Sequence, residues 1–103
     1  VPKLIIEDIE LIKMVRSKQR AGAEALYDLY SQALFLAIIR IIPKREIAED
    51  ILEQTYLEAW HSIGFYNIRN GRLLTWMMSI ARSLAREAKE LYSALNTNNK
   101  SAQ

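Results

Sequence analysis

Between Leu26 and Ile41 apolar residues recur every third or fourth position: Leu26, Leu29, Tyr30, Ala33, Leu34, Ala37, Ile38 and Ile41. That period matches the α-helical turn, and helical spacing continues through nearly the whole chain, with no stretch of clean two-residue alternation. A chain patterned in this way is unsuited to a sheet, where alternate residues of each apolar set would face water. Breakers are scarce, with three Gly and two Pro in 103 residues. The expected fold is therefore all-α, a compact bundle of four helices around one modest core.

Punctuation divides the chain. The first helix is predicted from about Glu7 to Lys18, with Ile9, Leu11, Ile12 and Val15 on its apolar side and its end marked by SKQRAG and Gly22. The second covers roughly Ala23 to Ile42 and stops at Pro43, because proline disfavours helical geometry in the residue before it. Residues 44 to 63 make the third. The segment GFYNIRNG, residues 64 to 71, has glycine at both ends and two asparagines, so it reads as a loop. The fourth helix is predicted from about Arg72 to Leu95. Residues 1–95 form one domain, and the polar 96–103 segment NTNNKSAQ reads as a tail or linker.

On a helical wheel, Ala48, Leu52, Tyr56, Ala59 and Ile63 share one arc of the third helix, the expected core face. Glu46, Glu49, Asp50, Glu53, Leu57 and Trp60 fall in a neighbouring arc, which is either a solvated acidic face or a protein-binding surface with an apolar centre and an acidic rim. The fourth helix separates an apolar stripe (Leu73, Met77, Ile80, Leu84, Ala88, Leu91) from a polar one (Arg72, Thr75, Ser79, Arg82, Arg86, Lys89), with Trp76 at the border. Residues 46 to 58 carry a local balance of −5, and residues 64 to 89 a balance of +4. The net charge of +2 is too small to identify a nucleic-acid binder, but the polarisation is strong. A basic helical stripe beside a loop with Phe65, Tyr66, Asn67 and Asn70 suits a nucleic-acid backbone, with aromatics to stack on bases.

Other function classes find little support. With no cysteine there is neither a disulfide framework nor a thiolate zinc site. Glu58 and His61 have the Glu-x-x-His spacing of a di-iron bundle, but such a site needs a second motif and His61 is the single histidine, so no metal or cofactor is expected. Three glycines cannot build a Walker loop and there is no Gly-x-Ser-x-Gly, which argues against an enzyme. The longest apolar run, Ala33 to Ile42, is broken by Arg40 and falls short of the roughly 20 residues of a membrane span, so no membrane insertion is expected. No signal peptide is visible, which favours a cytoplasmic protein, and a start at Val1 fits a piece of a longer one.

AEDILEQTYLEAW (residues 48–60), followed by the loop and then GRLLTWMMSIARSLARE (residues 71–87), resembles region 2 of the sigma-70 family, most closely its extracytoplasmic-function (ECF) branch. Residues 20–42 extend the resemblance, which runs from about Ile6 to Leu91. It implies a transcription initiation domain whose third helix docks on the β′ clamp helices of core RNA polymerase through Asp50, Glu53, Gln54 and Leu57. It also implies promoter DNA as a partner: Tyr66, Asn67 and Arg69 lie where relatives help to capture an extruded base of the minus-ten element. Arg72, Trp76, Ser79, Arg82, Ser83 and Arg86 lie on the helix that would contact the opened non-template strand. An anti-sigma factor is a further partner of this class. The sequence departs from the family pattern at Glu53-Gln54, where Gln-Glu is common, at Asn67-Ile68, where Asp-Pro is common, and at Ser83, where Asn is usual. The run Ala88-Lys89-Glu90-Leu91 is less basic than its counterpart, and no segment after Leu95 matches the helix-turn-helix region 4. The alternative is a helical interaction module that binds polymerase or an anti-sigma factor without productive DNA binding.

Overall fold

Helical periodicity and scarce breakers give four α-helices in the computed structural model, which describes residues 3–101. They are α1 (Lys3–Arg16), α2 (Arg20–Ile41), α3 (Arg45–Ser62) and α4 (Leu73–Ser101). Two short 3-10 turns, Ile63–Phe65 and Ile68–Asn70, shape the link between α3 and α4. Among the described residues there is no strand. The second helix packs against each of the other three, and α3 also packs on α4.

The turn between α1 and α2 is tighter than the SKQRAG segment suggests. Lys18 adopts a positive φ of 57°. Its amide bonds the Val15 carbonyl at 3.0 Å and the Gln19 amide bonds Met14 O at 3.1 Å, which is the Schellman pattern that closes a helix. Gly22 is no breaker: it lies buried inside α2 because the α1 backbone crosses there. A Cβ at Gly22 would come 2.9 Å from the Met14 carbonyl carbon, a backbone atom that cannot swing aside. Gly22→Ala is therefore expected to destabilise the fold by about 1–3 kcal/mol through overpacking, reduced by the roughly 1 kcal/mol gain in helix propensity. Gly64→Ala, where nothing lies within 4 Å, is the neutral control, and thermal unfolding of both variants checks the difference.

The core is built from rows of every fourth residue. In α2 these are Leu26, Tyr30, Leu34 and Ile38, and in α4 Leu73, Met77, Ala81 and Ala85. The first helix contributes Leu11, Ile12 and Val15, while the expected Ile9 is more exposed. On α3 the buried line is Ala48, Ile51, Thr55 and Ala59, ending at Ile63, so Leu52 and Tyr56 lie half-buried at its side. On α4, similarly, Ile80, Leu84 and Ala88 are half-buried and Leu91 is exposed. On α4 the buried row steps every fourth residue and slants about 26° to the helix axis, whereas the expected stripe mixed steps of three and four and ran along it. On α3 the buried line has the same mix of steps as the expected arc but is turned about the axis towards Ile51 and Thr55. Alanine at four of these buried positions lets α3 and α4 approach closely. Thr55 is accommodated because its hydroxyl bonds the Ile51 carbonyl at 2.7 Å.

Helix α4 continues six residues past the expected end at Leu95. No Gly or Pro lies there to stop it, and propagation adds one backbone bond for each residue fixed. Ala102 and Gln103, the last residues of the expected tail, lie outside the described ones. The long α4 gives the molecule extents of 59 × 24 × 22 Å.

Candidate functional site

The acidic surface comes from α3. Asp50, Glu53, Gln54 and Leu57 are all exposed, as are Glu46, Glu49 and Glu58. Leu57 is 53% exposed and stands between two clefts. One cleft, between α2 and α3, includes Leu26, Tyr27, Glu53, Tyr56 and Trp60; the other, towards α4, includes Gln54, Glu58, His61 and Leu84. Glu49 is partly compensated by Arg45 at 3.1 Å. Trp60 is half-buried, with Lys18 Nζ 4.7 Å from its ring centroid and also donating to the Trp60 carbonyl. The apolar centre of this face is therefore Leu57, with Trp60 covered from the side of α1. Tyr56 fixes α3 against α2: its hydroxyl donates to the Leu26 carbonyl at 3.2 Å and its ring stacks near Tyr27 at 5.2 Å. Burial holds the Tyr56 hydroxyl well above the usual phenol range.

The basic surface is formed by the loop and α4. Arg82, Ser83 and Arg86 are exposed on successive turns, and Ser79 is exposed with its hydroxyl donating to the Trp76 carbonyl at 2.7 Å. Asn67 and Arg69 are exposed, with Asn67 Oδ1 accepting from the Arg69 amide at 2.9 Å and so starting the second 3-10 turn. Tyr66 is placed differently from its neighbours, at only 2% exposed. Its ring lies 5.1 Å from that of the half-buried Trp76, its hydroxyl donates to the Gly71 carbonyl at 2.5 Å, and its own carbonyl accepts from Arg16 Nη2 at 2.6 Å. Burial, and secondarily Asp8, raises the Tyr66 pKa. The aromatic that faces solvent is Phe65, 91% exposed.

Arg72 is engaged within the fold. Its Nη2 and Nε donate to the two carboxylate oxygens of Asp8 at 3.0 and 3.2 Å, and these hydrogen bonds raise the Arg72 pKa. Asp8 is 1% exposed, and it also accepts from the Leu73 amide at 3.1 Å and the Tyr30 hydroxyl at 3.2 Å. A buried carboxylate needs such donors, and this one also caps the positive end of α4. Burial, reinforced by Asp8, pushes the Tyr30 pKa up to about 12.

Sequence reasoning did not single out Asp8, Arg16 or Lys18. A signal existed for Asp8: it stands three, four and seven residues before Leu11, Ile12 and Val15, on the stripe that α1 buries, where a carboxylate requires a cationic or amide partner. Glu58 and His61 are exposed; Glu58 accepts from Ser62 Oγ at 3.2 Å, and His61 Nδ1 lies 2.8 Å from the Leu57 carbonyl oxygen. Among the described residues no three His, Cys, Asp or Glu side chains are grouped to hold a metal ion. No helix among them is long and apolar enough to cross a membrane.

The opposed acidic and basic faces fit the family comparison. The model of Sigma-70 region 2 matches residues 26–90. This chain belongs to that family. Curated relatives of this sigma region 2 domain include the ECF RNA polymerase sigma factor BldN of Streptomyces coelicolor, 28% identical over 81 residues, covering 76% of this chain and 31% of the relative. SigK proteins are also similar. That of Mycobacterium sp. strain KMS is 24% identical, covering 73% of this chain and 39% of the relative; that of Mycobacterium bovis BCG is 21% identical, covering 82% and 45%. The matched part spans less than half the length of these relatives. No solved structure gives a significant match.

Proposed function

We propose that this sigma region 2 domain docks on the β′ clamp helices of core RNA polymerase through Asp50, Glu53, Gln54 and Leu57, and holds the non-template strand of a melted minus-ten element against the loop and α4. The observation that carries the reading is the partition of charge: an exposed leucine within an acidic face on α3, and exposed arginines on the outer face of α4. A leucine surrounded by carboxylates suits a partner helix that is apolar at its centre and basic at its rim. Arg69, Arg82 and Arg86 would neutralise phosphates, with Asn67, Ser79 and Ser83 as polar contacts. Phe65 takes the stacking role on an unpaired base, since Tyr66 is buried with its ring against Trp76. Arg72, with its guanidinium on Asp8, acts chiefly by fixing the start of α4.

The reading is tested by binding to purified core polymerase. The parent is expected to bind, and Asp50→Lys with Glu53→Lys to weaken binding at least about a hundredfold with unchanged circular dichroism, because both residues are exposed and the charge complementarity is reversed. No binding by a folded parent, or equal binding by the charge-reversed form, would remove α3 as the docking surface. A protein-interaction module without DNA binding is the second reading, favoured by Leu91 and Leu95, each 62% exposed, on α4.

A further inference from the structure

The segment from Ile63 to Arg72 has few apolar anchors, with Ile63 and Tyr66 buried and Ile68 half-buried. Yet it presents Phe65, Asn67 and Arg69 to solvent. Two residues of α1 grip it at two points. Arg16 donates to the Tyr66 carbonyl at 2.6 Å. Asp8, two turns away along α1, takes the Arg72 guanidinium and the Leu73 amide. Between these points Ile9, Ile12 and Lys13 line one wall of a cleft whose other wall is Phe65, Tyr66 and Ile68. We propose that α1 braces the strand-holding loop, with Asp8 and Arg16 as positioning residues; this rests on the strand-binding reading above.

The brace matters because an unpinned loop samples many conformations, and apparent affinity falls with the fraction that is competent to bind. Pinning it at Tyr66 and at Arg72 orders the loop during folding, so less ordering is left to oppose binding when the strand arrives. The sign of charge separates this role from direct contact. Asp8 is negative and buried, so it is unsuited to touching a phosphate, and neutralising it would by charge alone strengthen DNA binding. If Asp8 acts by positioning, neutralising it weakens binding instead.

The experiment compares Arg16→Gln, Arg16→Lys and Asp8→Asn with the parent. It measures hydrogen exchange at the amides of residues 64–71 without DNA, and affinity for a fluorescent minus-ten-like single strand across a salt series. Arg16→Gln and Asp8→Asn are expected to speed loop exchange and weaken strand binding on the order of tenfold, the scale of one lost charge-assisted hydrogen bond. Polymerase affinity and the salt slope should stay at parent values, and Arg16→Lys, which keeps a donor for the Tyr66 carbonyl, should restore both loop exchange and affinity. Unchanged loop exchange in Arg16→Gln overturns the brace. A salt slope shallower by about 0.7 makes Arg16 a phosphate contact, and tighter binding by Asp8→Asn makes that residue a matter of charge alone; either result overturns positioning. A parent that binds no strand overturns the strand-holding reading, while loop exchange in the Arg16 variants still reports on the brace itself. Arg16 is exposed, so its variants keep the test independent of any unfolding caused by Asp8→Asn.

Discussion

Charge reversal at Arg82 and Arg86 is expected to weaken binding to a minus-ten-like single strand at least about a hundredfold, with helix content unchanged. Both side chains are exposed on adjacent turns of α4, away from the buried row Leu73, Met77, Ala81 and Ala85, so Glu at these positions touches no core contact. Glutamate is also nearly as good a helix former as arginine. What changes is the field along the proposed strand path. Neutral replacement, Arg82→Gln with Arg86→Gln, isolates the phosphate contacts: each one lost from a single strand should flatten the plot of log affinity against log salt by about 0.7, or roughly 1.4 for the pair. Anisotropy titrations across a salt series read both quantities. An unchanged slope and affinity in folded variants would remove the stripe from the mechanism and favour the protein-interaction module. Arg72→Gln would be the wrong probe of the same idea, because it strands the buried Asp8 carboxylate and disturbs the start of α4.

Apolar period made the helices legible, and the helical wheel with local charge counts made the polarised surfaces legible. Neither could place side chains whose role depends on a neighbouring helix. Gly22 looked like punctuation because glycine commonly ends helices, but its reason is the α1 backbone 2.9 Å from where a Cβ would stand. Tyr66 matched the position of a base-capturing residue, yet its burial depends on Gly71, Arg16 and Trp76, which lie at three different separations in sequence. Arg72 was counted with the basic stripe because its partner is 64 residues away, on a helix whose contacts the wheel of α4 cannot represent. Exposed residues such as Asp50, Glu53, Arg82 and Arg86 were easier, since an outward face needs no partner within the fold.

The rotated face of α3 gives the second large expected effect, because Ile51 and Leu52 are adjacent and similar in volume. The sequence wheel centres the inward arc on Leu52, whereas α3 is turned about its axis so that Ile51 is buried and Leu52 lies beside the cleft between α2 and α3. Ile51→Ala is expected to cost about 2–5 kcal/mol, since lost apolar burial adds to a cavity that close-packed neighbours cannot fully collapse. Leu52→Ala should cost less than about half as much, because part of that side chain already meets water and its removal opens a groove that solvent can enter. Set against a total stability of about 5–15 kcal/mol, the Ile51 loss would lower the unfolding midpoint by on the order of 10 °C or more. Thermal unfolding followed by circular dichroism decides between the two faces. Equal costs at the two positions, or a larger one at Leu52, would mean that α3 turns the Leu52 and Tyr56 arc inward, and the acidic docking face would then have to rotate with it.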